Sequence, residues 1–237
     1  MKAIEHTIKH YYQPTNDSCG YAALSMLVSS YGLEVTPDQL LKNAPKNIVD
    51  GEEAWGSVTA QLATWCIERG FEVELWMFDF LIIDLSWQKL SPSEIIFRLK
   101  AIENVREIPS LGKWTKVYIQ RYIEFFEAGG QMNIRPHVTT ELINKLLEKG
   151  PVYANVCTKP LYNTGRMSYP ALRQEQLDDV HGHVGTHSLV IYGRNEAEDY
   201  LLADPWNGLT QVDPESLLCG ITAAEIECDA MIFQVKK

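Results

Sequence analysis

Cys19 stands at the start of an apolar helical run, in the segment Gln13-Pro14-Thr15-Asn16-Asp17-Ser18-Cys19-Gly20. A cysteine attacks as its thiolate, and a free thiol is mostly protonated at neutral pH. A helix N-terminus favours the thiolate, because its unpaired N–H groups and its dipole both attract negative charge. The same N–H groups can hold the oxyanion of a tetrahedral intermediate. Gln13 lies six residues earlier in a stretch stiffened by Pro14, and its amide can donate a second hydrogen bond to that oxyanion. Gly20 leaves room for a substrate backbone, so it is a candidate substrate-binding residue. An isolated cysteine at a helix start is more often a small buried hydrophobe, so the chemistry needs further residues.

A cysteine nucleophile needs a base, and the base needs an orienting group. The run from His187 through Gly193-Arg194, then Asn195-Glu196-Ala197-Glu198, then Asp199 to Asp204 reads as a β-hairpin. With Arg194 facing Asp199 across a four-residue loop, Leu189 falls opposite Asp204. Side chains alternate faces along a strand, so His187 then shares a face with Asp204 as its diagonal neighbour. A slip of one residue would part them. Pro205 ends the strand. A histidine at a strand start and an aspartate before proline each have bland readings, as a satisfied polar group and a turn signal. Their joint spacing points to a Cys19, His187, Asp204 triad with Gln13 beside it.

Other residues compete for attention. His181, His183 and His187 form HxHxxxH, and neutral imidazoles bind zinc. No carboxylate or cysteine ligand stands near, and Gly182 and Gly185 suggest a loop, so His181 and His183 are expected to border the cleft. No metal and no cofactor is expected. Trp206 and Trp55 are candidates for the cleft wall, with packing as the competing role.

The elements that must position these residues are legible. Cys19 to Tyr31 reads as a helix with Asp17 or Ser18 as N-cap and Gly32 as its stop. Thr36 and Gln39 form a capping box with Pro37 at the first helical position. A third helix runs from about Val58 to Arg69, and Phe71–Phe78 reads as a strand. Helices are expected over about Pro92–Glu107, Lys113–Ala128 and Thr140–Lys149, the last capped by Thr139. Strands are expected at Val152–Cys157, His187–Gly193, Tyr200–Asp204 and Asp229–Val235. The polar segment Lys159–Gly185 reads as a surface loop near the site. Helices first and strands later give an α+β class. The expected organisation is a single domain over residues 1–237 with a helical insertion at about 92–128.

Composition bounds the function. The hydrophobic share of 46% suits a globular core, and the net charge of −10 argues against a nucleic-acid partner. No apolar run approaches a membrane span; the stretch around Leu75–Leu85 is broken by Asp79 and Asp84. Cys19, Cys66, Cys157, Cys219 and Cys228 are an odd set without paired spacing, as in a reduced compartment. With no apolar leader visible near Met1, a cytoplasmic location is expected. The charge permits a basic or neutral peptide substrate; no nucleic-acid and no membrane partner is expected, and the oligomeric state is open.

The segment from Gln13 through Leu24, with Met26-Leu27 and Tyr31-Gly32, resembles the cysteine box of the C39-like peptidases. The stretch from His187 through Val190 and Tyr192-Gly193 to Ala203-Asp204-Pro205 resembles their histidine box and its aspartate. The two boxes cover under a fifth of the chain. The resemblance implies a papain-like α+β fold, with an N-terminal helical part carrying the nucleophile and a C-terminal antiparallel sheet carrying His187 and Asp204. It implies Cys19 as nucleophile, His187 as general base and acid, Asp204 as orienter, and Gln13 with the Cys19 N–H as oxyanion hole. No transporter region is seen in these residues, so a standalone member is the nearer comparison. The function it implies is a cysteine peptidase or amidase working through a thioester. The alternatives are an acyltransferase or transpeptidase using the same site, a metal-binding protein, and an inactive binding module.

Overall fold

The structure, a computed structural model, describes residues 2–53, 56–78, 81–105, 111–172, 174–224 and 231–236. Trp55 and Cys228, singled out above, lie outside the described residues. The chain opens with β1 (Ile4–Glu5), α1 (Cys19–Ser29), α2 (Pro37–Asn43), β2 (Ile48–Val49), β3 (Glu52–Glu53), α3 (Thr59–Ile67) and β4 (Glu72–Met77). It continues through α4 (Pro92–Val105), α5 (Thr115–Glu127), β5 (Gln131–Ile134), α6 (Thr140–Leu147), β6 (Val152–Cys157) and α7 (Thr158–Tyr162). The last part holds β7 (Met167–Ala171), β8 (Gln174–Leu177), β9 (Thr186–Arg194), β10 (Tyr200–Asp204), β11 (Gly208–Val212), α8 (Pro214–Ala223) and β12 (Met231–Lys236).

Among the described residues the main sheet has eight strands, in the order β11-β10-β9-β6-β12-β4-β5, with β1 added on β9. The expected C-terminal antiparallel sheet is therefore corrected in two ways. First, β4 and β5 from the N-terminal two-thirds belong to it. Second, β4 and β5 run parallel. The physical reason is the connection: α4 and α5 lie between them, and only a long crossover can return a chain in the same direction.

Side chains alternate between the sheet's two faces, and each face is covered. Leu75, Tyr153, Val190, Ala203 and Phe233 pack with residues of α1, α3 and α5 in one buried cluster. Trp76, Ala154, Leu189, Ile191, Leu202 and Ile232 pack with residues of α6 and α8 in another. Helix α1 is enclosed, with every residue from Gly20 to Val28 buried. A helix that is apolar all round belongs inside. It ends at Ser29, two residues short of Tyr31, and Gly32 takes a left-handed φ of 82° just beyond. The capping box of Thr36 and Gln39 forms as read, and the Thr139 side chain accepts from Leu142 N–H.

The segment 159–185 is more ordered than a surface loop. It carries most of α7 and the β7–β8 hairpin. Polar strands such as Gln174–Leu177, exposed on both faces, leave no period-two pattern to read.

Candidate active site

Cys19 is the first residue of α1, so its position follows from where the helix starts. The Ser18 side chain makes no cap bond to the helix. Its hydroxyl instead donates to Thr15 O (3.0 Å) and accepts from Thr15 N–H (2.9 Å). Ser18 is the N-cap residue by position, as one of the two candidates, but its side chain braces the preceding turn. The first intrahelical bond runs from Ala22 N–H to Ser18 O (3.1 Å). The N–H groups before Ala22 have no intrahelical acceptor, which suits them to an anion beside Cys19.

The hairpin that brings His187 to Asp204 differs from the simple one expected. Tyr200 pairs with Arg194, so the loop has five residues, Asn195–Asp199, closed by Asn195 N–H to Asp199 O (2.9 Å). That moves the register by one residue at the loop end. A bulge between Leu201 and Leu202 leaves Tyr192 without a partner residue on β10, and Leu202 then faces Ile191 and Ala203 faces Val190. The bulge cancels the slip, and continuing its offset puts Leu189 beside Asp204. Without it His187 and Asp204 would sit on opposite faces. Gly193 is demanded nearby, because a Cβ there would lie 2.4 Å from Ile4 O as β1 crosses β9.

His187 Nε2 lies 2.7 Å from Asp204 Oδ1, and Asp204 is fully buried. Cys19 faces the same cleft as His187 and Ser188, the two residues that act on its thiol. With Nε2 committed to Asp204, Nδ1 is the ring nitrogen left for the thiol. Burial alone pushes the Cys19 thiol up. The hydrogen bond and charge of His187, and then Ser188, outweigh burial and bring it below its ordinary value. Burial pulls the His187 ring down. The Asp204 charge and hydrogen bond, with Cys19, reverse this and push it up to about 10. Burial raises the Asp204 carboxyl, but His187, Tyr162 and the Trp206 N–H hold it well below the usual carboxylate range. The arrangement favours a thiolate–imidazolium pair.

Gln13 is buried beside Cys19 in the wall of one cleft of about 960 Å³. Its Nε2 donates to Thr15 O (2.7 Å), which leaves its second amide hydrogen for the cleft. Its Oε1 is buried without a hydrogen-bond partner among the described residues. The Gln13 N–H donates to Pro205 O (3.1 Å), tying the strap before α1 to the turn after Asp204. His187, Trp206 and His183 line the same cleft, and so do Lys159, Tyr169 and Glu175 of the segment read as a loop. The Trp206 ring meets Tyr169 edge-on at 5.8 Å.

Gly20 is not among the residues lining that cleft. A Cβ on it would come 2.1 Å from Ser57 Oγ, 3.1 Å from Leu62 Cδ1 and 3.3 Å from Tyr153 Oη. The space that Gly20 leaves is therefore taken by the protein's own loop and strand. His181 is 85% exposed in its side chain. No group of three His, Cys, Asp or Glu side chains is gathered for a metal among the described residues.

Several polar neighbours were not read from the sequence. Tyr162 Oη donates to Asp204 Oδ2, and Asn207 Nδ2 donates to the same oxygen (3.1 Å). The N–H groups of Trp206 (2.7 Å) and Asn207 (3.1 Å) donate to Oδ1. An Asp followed by N–H groups two and three residues on is an Asx-type turn, so Asn207 had a local signal. Tyr162 had none; its pairing spans 42 residues. Under the thiol, Tyr153 Oη donates to Ser188 Oγ (2.7 Å), which donates to Asn155 Oδ1 (3.1 Å). Asn155 Nδ2 donates in turn to Thr59 Oγ1 (2.6 Å).

The sequence matches the Peptidase C39 family model over residues 7–51, a stretch that includes Gln13 and Cys19. The fold is similar to a crystal structure from Bacillus anthracis provisionally described as a C39-like peptidase. That match has a TM-score of 0.50 at 11% identity and covers 100% of this chain and 99% of the other. No curated protein matches the sequence. No helix among the described residues is long and apolar enough to cross a membrane. The chain is thus similar to the Peptidase C39 family in its N-terminal segment, and its α+β fold is similar to that of the Bacillus anthracis protein.

Proposed function

We propose that the protein hydrolyses a peptide or amide bond through a Cys19–His187–Asp204 triad and a thioester acyl-enzyme. The observation that carries this reading is that His187, bonded to Asp204 Oδ1 at 2.7 Å, shares one cleft with Cys19 and brings its thiol below the ordinary value. His187 takes the thiol proton, and the Cys19 sulfur attacks the carbonyl carbon. The carbonyl π electrons move to oxygen, where the Cys19 N–H and the free amide hydrogen of Gln13 stabilise them. The oxyanion collapses, the C–N bond breaks, and His187 gives its proton to the leaving nitrogen. A water molecule, deprotonated by His187, then attacks the thioester. The acid product leaves and the thiol is restored.

Alkylation tests the activated thiol without a substrate. Iodoacetamide at pH 6 is expected to label Cys19 well before Cys66 and Cys157, read by peptide mass spectrometry. Cys66 and Cys157 are buried, and burial pushes the Cys66 thiol far up. Uniform slow labelling of the cysteines would overturn the assignment. Gln13→Ala is expected to lower kcat by about 10²–10³-fold with KM little changed, the cost of one oxyanion donor. An unchanged kcat would remove Gln13 from the oxyanion hole. Digestion of a peptide library, with and without an added amine, separates hydrolysis from acyl transfer by the mass of the product.

A further inference from the structure

Asp204 is fully buried and accepts five hydrogen bonds, more than an orienting carboxylate needs. Four of the five come from β9 or the turn just after β10. The fifth comes from Tyr162, the last residue of α7, which lines the cleft. The chain turns sharply there, because Asn163 takes a left-handed φ of 50°. The Tyr162 ring packs against the buried cluster that contains Leu161, Leu217 and Ile221.

A carboxylate in a dry site binds an imidazolium strongly. A base that holds its proton too firmly is a poor acid, yet the same ring must protonate the leaving amine. A neutral donor on the far oxygen draws charge away from the near one. Tyr162 is suited to this, since burial and Asp204 keep its phenol protonated far above neutral pH.

We propose that Tyr162 is a positioning residue of the triad: by sharing the Asp204 carboxylate it sets how firmly His187 holds its proton. The inference rests on the triad reading above. Among the described residues the ionisable groups that act on one another here are Cys19 from α1, His187 from β9, Asp204 from β10 and Tyr162 from α7, and Asp17, Lys159, Glu175 and His183 line the same cleft. The His10 ring bonds the Asp204 backbone carbonyl at 2.8 Å and packs edge-on against Tyr12.

The test is the titration of His187 by ¹⁵N-histidine NMR in a Cys19→Ala chain, with and without Tyr162→Phe. Loss of the phenol hydroxyl concentrates charge on Oδ1, so the His187 midpoint should rise, by about half to one pH unit. An Asp204→Asn background should abolish the effect, because Tyr162 acts through that carboxylate. A midpoint that stays or falls, or a shift that persists in the Asp204→Asn background, overturns the proposal. A purely structural role would loosen Asp204 and lower the midpoint. Should Tyr162→Phe fail to fold, 3-fluorotyrosine at position 162 keeps the shape and strengthens the donor, and the midpoint should fall; no change would overturn the proposal. Failure of the triad reading looks different: iodoacetamide then labels Cys19 no faster than the buried cysteines, whatever His187 does.

Discussion

Cys19→Ala lowers turnover of any peptide that the wild-type chain cleaves by about 10⁶-fold, because the covalent route is lost entirely. Removing the nucleophile of an acyl-transfer site leaves only binding and the oxyanion donors, a small residue of the whole. KM should change little, since alanine removes one sulfur atom and leaves the cleft. The fold should be kept, because the Cys19 side chain sits at the cleft and outside the two buried clusters. Single-turnover kinetics check this, together with a search for the thioester by intact mass in the wild-type chain. Full turnover by the alanine variant would sink the assignment of Cys19. The pH profile of the wild type is a second reading of the same pair. Activity should rise with pH as the thiol, lowered by His187, loses its proton. It should fall again as pH passes the His187 value near 10, where the proton for the leaving amine is lost.

Asp204→Asn is expected to lower kcat by about 10³-fold or more, and to destabilise the fold as well. Five donors converge on Asp204 in the wild type. An amide offers one oxygen and two hydrogens of its own. If its NH₂ faces His187, the ring takes the wrong tautomer and its Nε2 becomes the acceptor. If its NH₂ faces the other way, the donors of Tyr162 and Asn207 lose their acceptor. Each buried donor left unpaired costs about 1–3 kcal/mol. Removing the charge also exposes a pH signature. Asp204 is held below its ordinary 3.8, so its contribution is full above that value and is lost as pH falls through the folded-state value. His187 is raised from 6.5 to about 10, so its contribution is full below 6.5 and is lost as pH rises through about 10. The stability gap between wild type and variant should therefore be widest between about pH 4 and 6.5 and narrow on either side. Chemical denaturation across this range measures it. A gap independent of pH would mean that the pair is not ionised in the folded chain.

The elements around the site were legible to different degrees, for physical reasons. Helix α1 announced itself because its residues are apolar or small almost throughout and Gly32 follows. The capping box at Thr36 and Gln39 is a local hydrogen-bond device and forms as written. Strand β10 was bounded at both ends, by the loop before it and Pro205 after it. Strand β5, which follows a Gly-Gly stop, was too short to read, and the exposed β7–β8 hairpin has no buried face to imprint a pattern. Strand β11 was missed because only its two end residues, Gly208 and Val212, are buried, although it pairs with β10 across a short turn.

Cys19 itself returns the plainest lesson. By itself the sequence determined the helix that carries it, the nearness of Gln13, and the hairpin that brings His187 and Asp204 into one region. These depend on local periodicity and on turns, which operate over a few residues. Tertiary structure alone decided whether the hairpin's faces matched, since one extra loop residue is cancelled by one bulged residue at Tyr192. It also decided that Gly20 opens onto Ser57, Leu62 and Tyr153. Finally it brought Tyr162 to the far oxygen of Asp204. Such contacts depend on where whole elements pack, and no spacing along the chain encodes them.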